Sequence, residues 1–231
     1  MCIQCRILDL DCLSDPQVME HYLGTIPVSG YWKQRRESMR KYRFVEDRIR
    51  SLGAGLLLLS VLREYGLQNA EIECNAYGKP LLCGSDFQFN LSHSGKYSVC
   101  SYGFGSSGID IENYQCAAPD LAKRFFHPKE YELVAEHGNK MFIRLWTLKE
   151  SYIKADGRGL SLGLDTFHIC PGELKPEFHC AESDLIPALC DQTSVAGDHR
   201  FNFVEYTVSD YHVAVCSKNP IKTTLIQYTL T

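Results

Sequence analysis

The sequence predicts an α+β protein of two similar halves related by a pseudo-two-fold axis, each half a long helix packed on a small antiparallel sheet. Three observations carry this expectation. Residues 46–65 and 141–156 place apolar side chains at helical spacing, Ile49, Leu52, Leu56, Leu59 and Leu62 in the first, Phe142, Leu145, Trp146, Leu148, Tyr152 and Ile153 in the second. Each helix is followed by strand-like segments, 88–91 with 97–102 and 201–208 with 211–217. Tyr97-Ser98-Val99-Cys100-Ser101 is echoed by Tyr211-His212-Val213-Ala214-Val215-Cys216-Ser217, and Ile49-Arg50 by Ile143-Arg144. Chance similarity is the alternative to an internal repeat. A repeat accounts for 231 residues, about one and a half typical domains. The halves are 1–106 and 107–231, with no Pro/Gly/Ser-rich linker between them.

The elements follow in order. Gly66 is a C-terminal stop for the first helix. Gly53 and Gly55 inside it cost about 1 kcal/mol each relative to alanine, so they predict close packing or close ligand approach. Tyr77-Gly78-Lys79-Pro80 reads as a turn. Ser92-His93-Ser94-Gly95-Lys96 reads as a loose hairpin loop, and 108–112 as a short strand. Residues 120–126 and 129–136 are helical pieces, with Pro128 near the start of the second. Gly157 stops the helix 141–156, and 167–170 is a strand.

Composition narrows the class. With 45% hydrophobic and 23% charged residues the chain can build a core and is not a disordered tail. No apolar run nears the 18 or so residues of a membrane span, and residues 1–15 lack a signal-peptide core, so a cytoplasmic protein is expected. Eleven cysteines in a chain of this size read as reduced thiols. Cys2 and Cys5 form a C-x-x-C without a second pair or histidine at zinc spacing, so they read as small hydrophobes. The net charge of −4 hides an asymmetry. Eight basic residues between Lys33 and Arg50 face only Glu37, Glu46 and Asp47, a local +5 against −9 elsewhere. That segment is either a solvated helix face or the place where an anion binds.

Several short motifs carry chemistry. In Gly108-Ile109-Asp110-Ile111-Glu112 strand alternation points both carboxylates to one face, either as an ordinary acidic pair on an exposed strand or as a pair whose repulsion a hard divalent cation relieves. In Trp146 through Lys154, residues 146, 150 and 154 share a helix row. Glu150 there is either an i,i+4 partner of Lys154 or a third acid facing the strand pair, with Lys149 or Lys154 on a phosphate. Asn90-Leu91-Ser92-His93-Ser94 sets polar donors at a strand end, suited to phosphate oxygens. Adjacent serine and histidine rarely form a hydrolytic pair, and no nucleophile elbow surrounds them.

Taken together, Gly78-Lys79-Pro80, Phe89 through Ser94, Gly108 through Glu112 and Trp146 through Lys154 resemble the Sfp-type 4′-phosphopantetheinyl transferases. Ala122-Lys123-Arg124-Phe125-Phe126 and Gly157-Arg158-Gly159-Leu160-Ser161-Leu162 extend the likeness, which runs from about Arg35 to Ser217. The resemblance implies the transferase fold, with coenzyme A in a cleft between the halves. It implies transfer of the 4′-phosphopantetheine arm to a serine of an apo acyl, peptidyl or aryl carrier protein, releasing adenosine 3′,5′-bisphosphate. Asp110, Glu112 and Glu150 are then the ligands of Mg²⁺, with Mn²⁺ as a substitute. Glu150 is also the base and Lys154 the cation on the leaving phosphate. Coenzyme A falls to Lys79, Pro80, Ser92, His93, Asp110, Lys149 and Lys154, and its 3′-phosphate to Arg35, Arg50 and Ser51, the cationic position sliding among Arg35, Arg36 and Arg40. Ile111 departs from relatives that carry a third polar residue there, so water completes the metal shell. Phe125, Phe126 and Tyr131 flank the cleft and meet the carrier, or else pack a helix. A monomer with a pseudo-dimeric fold is implied, with no membrane or nucleic-acid partner. A metal-dependent phosphohydrolase of coenzyme A or nucleotides and a nucleic-acid-binding module are the competing classes.

Overall fold

A computed structural model describes residues 2–174, 185–188, 190 and 192–230. Strand β1 (Ile3–Asp9) leads through a 3-10 turn to helices α1 (Pro16–Thr25), α2 (Gly30–Lys41) and α3 (Val45–Glu64). Then come the short hairpin β2 (Ile72–Cys74) and β3 (Pro80–Leu82), the long hairpin β4 (Phe87–Ser94) and β5 (Tyr97–Phe104), and β6 (Ser107–Asn113). Two 3-10 turns and α4 (Ala122–Phe125) lead into α5 (Pro128–Asp156). The remainder forms β7 (Ile169–Cys170), β8 (Leu185–Pro187), β9 (Ser194–Val195), β10 (Asn202–Val208), β11 (Tyr211–Ser217) and β12 (Ile221–Tyr228).

The mixed α+β class is as expected. One sheet has the order β4-β5-β1-β12-β8 and a second the order β10-β11-β6. The first sheet departs from a purely antiparallel one, because β1 and β12 pair in parallel, with Cys5 opposite Leu225 and Arg6 opposite Ile226. The last strand thus returns from beyond residue 107 to the sheet built by the first hundred residues. Alternation sorts the side chains into layers. Cys100 and Tyr102 of β5 and Leu8 of β1 pack on α3, whereas Val99, Ile7 and Cys5 face Ile109, Ile111, Val213 and Val215 of the second sheet. The outer face of the second sheet, with Phe203, Ala214 and Cys216, packs on α5 through Leu145, Leu148 and Tyr152. The order is helix, sheet, sheet, helix.

Local chemistry explains where the helices begin and end. Asp15 accepts the N–H groups of Gln17 and Val18 ahead of α1. His127 and Glu130 form a reciprocal cap at the start of α5, with Pro128 in its first turn. α3 ends where Leu67 N–H reaches Leu62 O (2.7 Å) and Gly66, at φ +67°, takes the left-handed position. α5 contains both expected helical pieces, separated by Gly138 at φ +71°. α3 is buried on nearly all sides from Ser51 to Leu62, which accounts for its run of leucines. Gly53 and Gly55 answer to close packing: a Cβ at 53 would meet Leu10 Cδ2 at 2.2 Å, and one at 55 would meet Arg35 Nε at 3.1 Å. Cys2 is exposed and Cys5 buried in β1, so that pair makes no chelate, and the ten described cysteines are free thiols.

The loose loop expected at 92–96 is corrected. β4 stays in register with β5 through Ser92↔Val99, His93↔Ser98 and Ser94↔Tyr97, leaving only Gly95 and Lys96 to turn. Side-chain bonds from β4 to β6 hold these residues extended.

The second half rests on one contact. A Cβ added to Gly108 of β6 would lie 2.0 Å from Ser151 O and 2.4 Å from Ala155 N, both backbone atoms of α5. Only glycine lets the helix lie this close to the strand. Gly108→Ala must therefore displace α5, at a cost of about 1–3 kcal/mol. Urea denaturation should show that loss at an unchanged m-value; wild-type stability would contradict the contact.

Candidate active site

The edge strands of the two sheets, β4 and β6, meet side chain to side chain. Asn90 Oδ1 accepts from Ile109 N–H (2.9 Å), Ser92 Oγ donates to Asp110 Oδ1 (2.7 Å) and Ser94 Oγ donates to Glu112 Oε2 (2.8 Å). Every second residue of β4 thus serves the next rung of β6. The intervening residues face the other way: Phe87, Phe89 and Leu91 pack toward α3, and His93 follows them.

α5 completes the carboxylate side. Lys154 Nζ donates to Asp110 Oδ1 (2.7 Å), Ile109 O (3.3 Å) and Ser92 Oγ (3.3 Å). Its ion pair is with Asp110 rather than with Glu150, which settles the i,i+4 alternative. Glu150 is half-buried. Burial first, then the neighbouring Asp110, outweighs Lys154 and pushes its carboxyl up to about 7. Burial and Asp110 likewise raise Glu112, against the bond from Ser94. The other oxygen of Asp110, Oδ2, is buried with no hydrogen-bond partner. An orphaned carboxylate oxygen and two acids held above their ordinary pKa fit a hard cation with oxygen ligands. Among the described residues, ligand atoms all within 4.8 Å of one another are found at Glu71, Glu73 and Cys83, which are exposed, and not at Asp110, Glu112 and Glu150.

On the α3 side lies a cavity of about 430 Å³, lined by Tyr31, Arg35, Cys74, Gly78, Pro80, Asn90, Ser92, His93 and Lys154 among others. Arg35 crosses it with Nη2 on Ser51 O (2.6 Å), Nη1 on Tyr31 Oη (3.2 Å) and a buried Nε without a partner. Partial enclosure, then Arg35, Arg50 and Lys154, hold the His93 imidazole below its usual pKa. A neutral ring among three cations marks a place for an anion. Arg50 pairs with Asp47 (2.5 Å) near the start of α3. Ser51 is buried and offers its backbone carbonyl to Arg35.

The structure brings together Arg35, Pro80, Ser92, His93, Asp110 and Lys154, with Glu112 and Glu150 close enough to Asp110 to feel its charge. It corrects three other expectations. Lys149 is fully buried, its Nζ bound to both oxygens of Glu130 (2.7 and 2.6 Å) and to Phe167 O (3.0 Å), so it has no donor left for a phosphate. Lys79 Nζ donates to Ser106 Oγ, Ser107 O and Lys154 O (3.0, 3.0 and 2.6 Å). Two of its N–H bonds tie the 77–80 turn to the start of β6 and the third ties it to the end of α5, and burial lowers its pKa to about 8. Phe126 is buried and stacked on Phe142, with ring centroids 5.5 Å apart, whereas Phe125 and Tyr131 are exposed. Arg36 and Arg40 turn away from the Arg35 cavity. Sequence reasoning missed Ser94 as the hydrogen-bond partner of Glu112 and a buried network behind β6. There Arg144 grips Glu205 through Nε–Oε2 (2.6 Å) and Nη2–Oε1 (3.0 Å), and His212 bridges Glu205 Oε2 (3.1 Å) and Thr147 Oγ1 (2.7 Å). The period-two spacing of Asn90, Ser92 and Ser94 was the available signal for Ser94; no local pattern marks the network.

A family model for the 4′-phosphopantetheinyl transferase superfamily matches residues 106–216. The chain is 36% identical over 197 residues to a 4′-phosphopantetheinyl transferase of Bacillus subtilis, covering 81% of this chain and 82% of that protein. It is 39% identical over 144 residues to the 4′-phosphopantetheinyl transferase Sfp of Bacillus subtilis (strain 168), covering 59% of this chain and 64% of that one. To the 4′-phosphopantetheinyl transferase gsp of Aneurinibacillus migulanus it is 33% identical over 165 residues, 67% of this chain and 68% of the relative.

The Lys149–Glu130 pair is structural in this arrangement. Lys149→Met alone leaves a buried carboxylate and should cost about 3–5 kcal/mol. Lys149→Met with Glu130→Leu should recover most of that loss in chemical denaturation. A Lys149→Met variant of wild-type stability would return this residue to the ligand.

Proposed function

The chain belongs to the 4′-phosphopantetheinyl transferase superfamily, and from that membership and the chemistry of the β4–β6 cleft we propose that it moves the phosphopantetheine arm of coenzyme A to a serine of an apo carrier protein. The observation that carries the reading is the strand Asn90–Ser94, whose two faces serve a cationic cavity and a carboxylate cluster at once. A molecule with a nucleotide phosphate at one end and a pyrophosphate in its middle needs those two environments side by side.

Arg35, Arg50 and His93 take the 3′-phosphate, with Arg35 held in place by Ser51 O, and Pro80 walls the cavity. Ser92 and Lys154 bind the pyrophosphate, where Lys154 neutralises charge that builds on the leaving oxygen. Asp110, Glu112 and Glu150 would hold Mg²⁺, or Mn²⁺ in its place, which when bound screens the pyrophosphate charge against an incoming oxygen. Glu150 would accept the proton of the carrier serine directly or through water. The serine Oγ forms its bond to phosphorus as the phosphorus–oxygen bond to adenosine 3′,5′-bisphosphate breaks. The reaction is of the holo-carrier-protein synthase type. Phe125 and Tyr131, exposed beside the start of α5, belong to the carrier's approach. The site lies between halves 1–106 and 107–231, related by a pseudo-two-fold axis, in a protein that acts as a cytoplasmic monomer. No helix among the described residues is long and apolar enough to cross a membrane.

Incubation with coenzyme A, Mg²⁺ and apo carrier proteins, read by intact mass, should show one phosphopantetheine added to the serine. Asp110→Ala and Glu150→Ala should each slow that transfer by about 100-fold or more while circular dichroism stays native. Full activity in either variant at saturating Mg²⁺ would sink the assignment.

The raised pKa of Glu150 fixes the sign of a pH effect. Below about 7 a proton occupies the carboxylate the ion needs, so Mg²⁺ affinity should rise as pH is raised from 6 to 8. The climb should approach tenfold per pH unit on the acid side and flatten above 7. Calorimetric titration of the free protein checks this, and a pH-independent affinity would remove Glu150 from the metal site.

A further inference from the structure

The basic segment does not end at the coenzyme A cavity. A second cavity of about 320 Å³ opens between α1, α2 and the start of α3, lined by Arg36, Arg40, Arg48, Glu20, Leu23 and Met39 with Gly24, and shares no residue with the first. Arg36 is anchored there, its Nη1 donating to Leu23 O (2.7 Å) and Ile26 O (2.9 Å) at the end of α1. Arg48 lines the cavity, and its Nε is buried with no hydrogen-bond partner. Among the described residues neither Arg40, Arg48 nor Glu20 makes an ion pair. Three arginines thus line one concave space together with a single carboxylate, Glu20, that makes no ion pair among the described residues. Arg36 and Arg40 are an i,i+4 pair of like charge, which by itself weakens α2.

We propose that this cavity is a second anion site, which takes the phosphate group of a small phosphorylated molecule. Guanidinium forks match phosphate oxygens in pairs, and three of them supply more donors than one phosphate needs. Met39, buried at the floor, and Leu23 offer apolar contact to an organic remainder. The volume holds more than an inorganic phosphate and sits at the lower end of small-molecule pockets. Two sources share this chemistry, an inorganic pyrophosphate and a nucleotide bisphosphate.

The test is thermal unfolding of the full chain in metal-free buffer at saturating coenzyme A, which fills the first cavity. Added pyrophosphate or adenosine 3′,5′-bisphosphate should raise Tm further with concentration. Arg40→Ala/Arg48→Ala should bind the added anion at least tenfold more weakly; Arg36 is left intact because it holds the end of α1. The same titration in Arg35→Ala without coenzyme A should keep the rise, so a failure of coenzyme A to bind is told apart from a failure of this site. Tighter binding of either anion supports the site and names its source. No further rise in the wild-type chain, or the same rise in the double variant, overturns the proposal.

Discussion

The distance of closest approach between α5 and β6 is the constraint on which the cleft depends. Gly108 has no side chain, so the backbone of Ser151 and Ala155 rests directly against the strand. That contact sets how far Lys154 must reach to find Asp110, and it brings Glu150 within range of two other carboxylates. A methyl group at this position would widen the gap by more than the tolerance of a hydrogen bond. A small backbone feature therefore governs an electrostatic one: the raised Glu150 carboxyl exists because the helix carrying it cannot stand off from the strand.

β4 is the second organising element. A strand divides its side chains between two faces at no cost, and here each face meets a different charge. One face stitches the acids of β6 with hydroxyl donors; the other turns an imidazole toward arginines. Two cations expected to meet ligand are instead used as struts. Lys79 fastens the 77–80 turn to Lys154 O near the end of α5 and to Ser106 and Ser107 at the start of β6, and Asn75 adds a bond to Gly157 O (2.9 Å). Lys149 neutralises Glu130, which in turn caps α5 and accepts from Ile169 N–H (2.7 Å). Positive charge alone did not distinguish a strut from a ligand; the number of protein acceptors around each ammonium does.

Much of the scaffold could be read from residue order. α3, α5 and the β10–β11 hairpin were legible because periodic apolar residues and glycine stops are local signals. That Asp110 and Glu112 share a face was legible from strand alternation, whereas Glu150 stood open between an ion pair with Lys154 and a third acid until the resemblance placed it beside them. β1, β12 and the fate of residues 92–94 were not legible. Residues 92–94 continue the ladder with β5, and Ser92 and Ser94 are tied to Asp110 and Glu112, partners eighteen positions away. The same holds for Phe126, whose neighbour Phe125 is exposed: which of two adjacent aromatics enters the core depends on where Phe142 comes to lie. Lys149 and Lys154 look alike in the sequence and differ by which side of the second piece of α5 faces Glu130 in the first.

The parallel pairing of β1 with β12 has a consequence for synthesis. β1 leaves the ribosome more than two hundred residues ahead of β12. Until the final strand emerges, β1 presents a bare hydrogen-bonding edge in the middle of its sheet, the kind of surface that recruits other chains. Closing it incurs a large loop entropy late and in one step. β1 and the β4–β5 hairpin therefore wait, with an open seam, for a strand more than a hundred residues further along the chain.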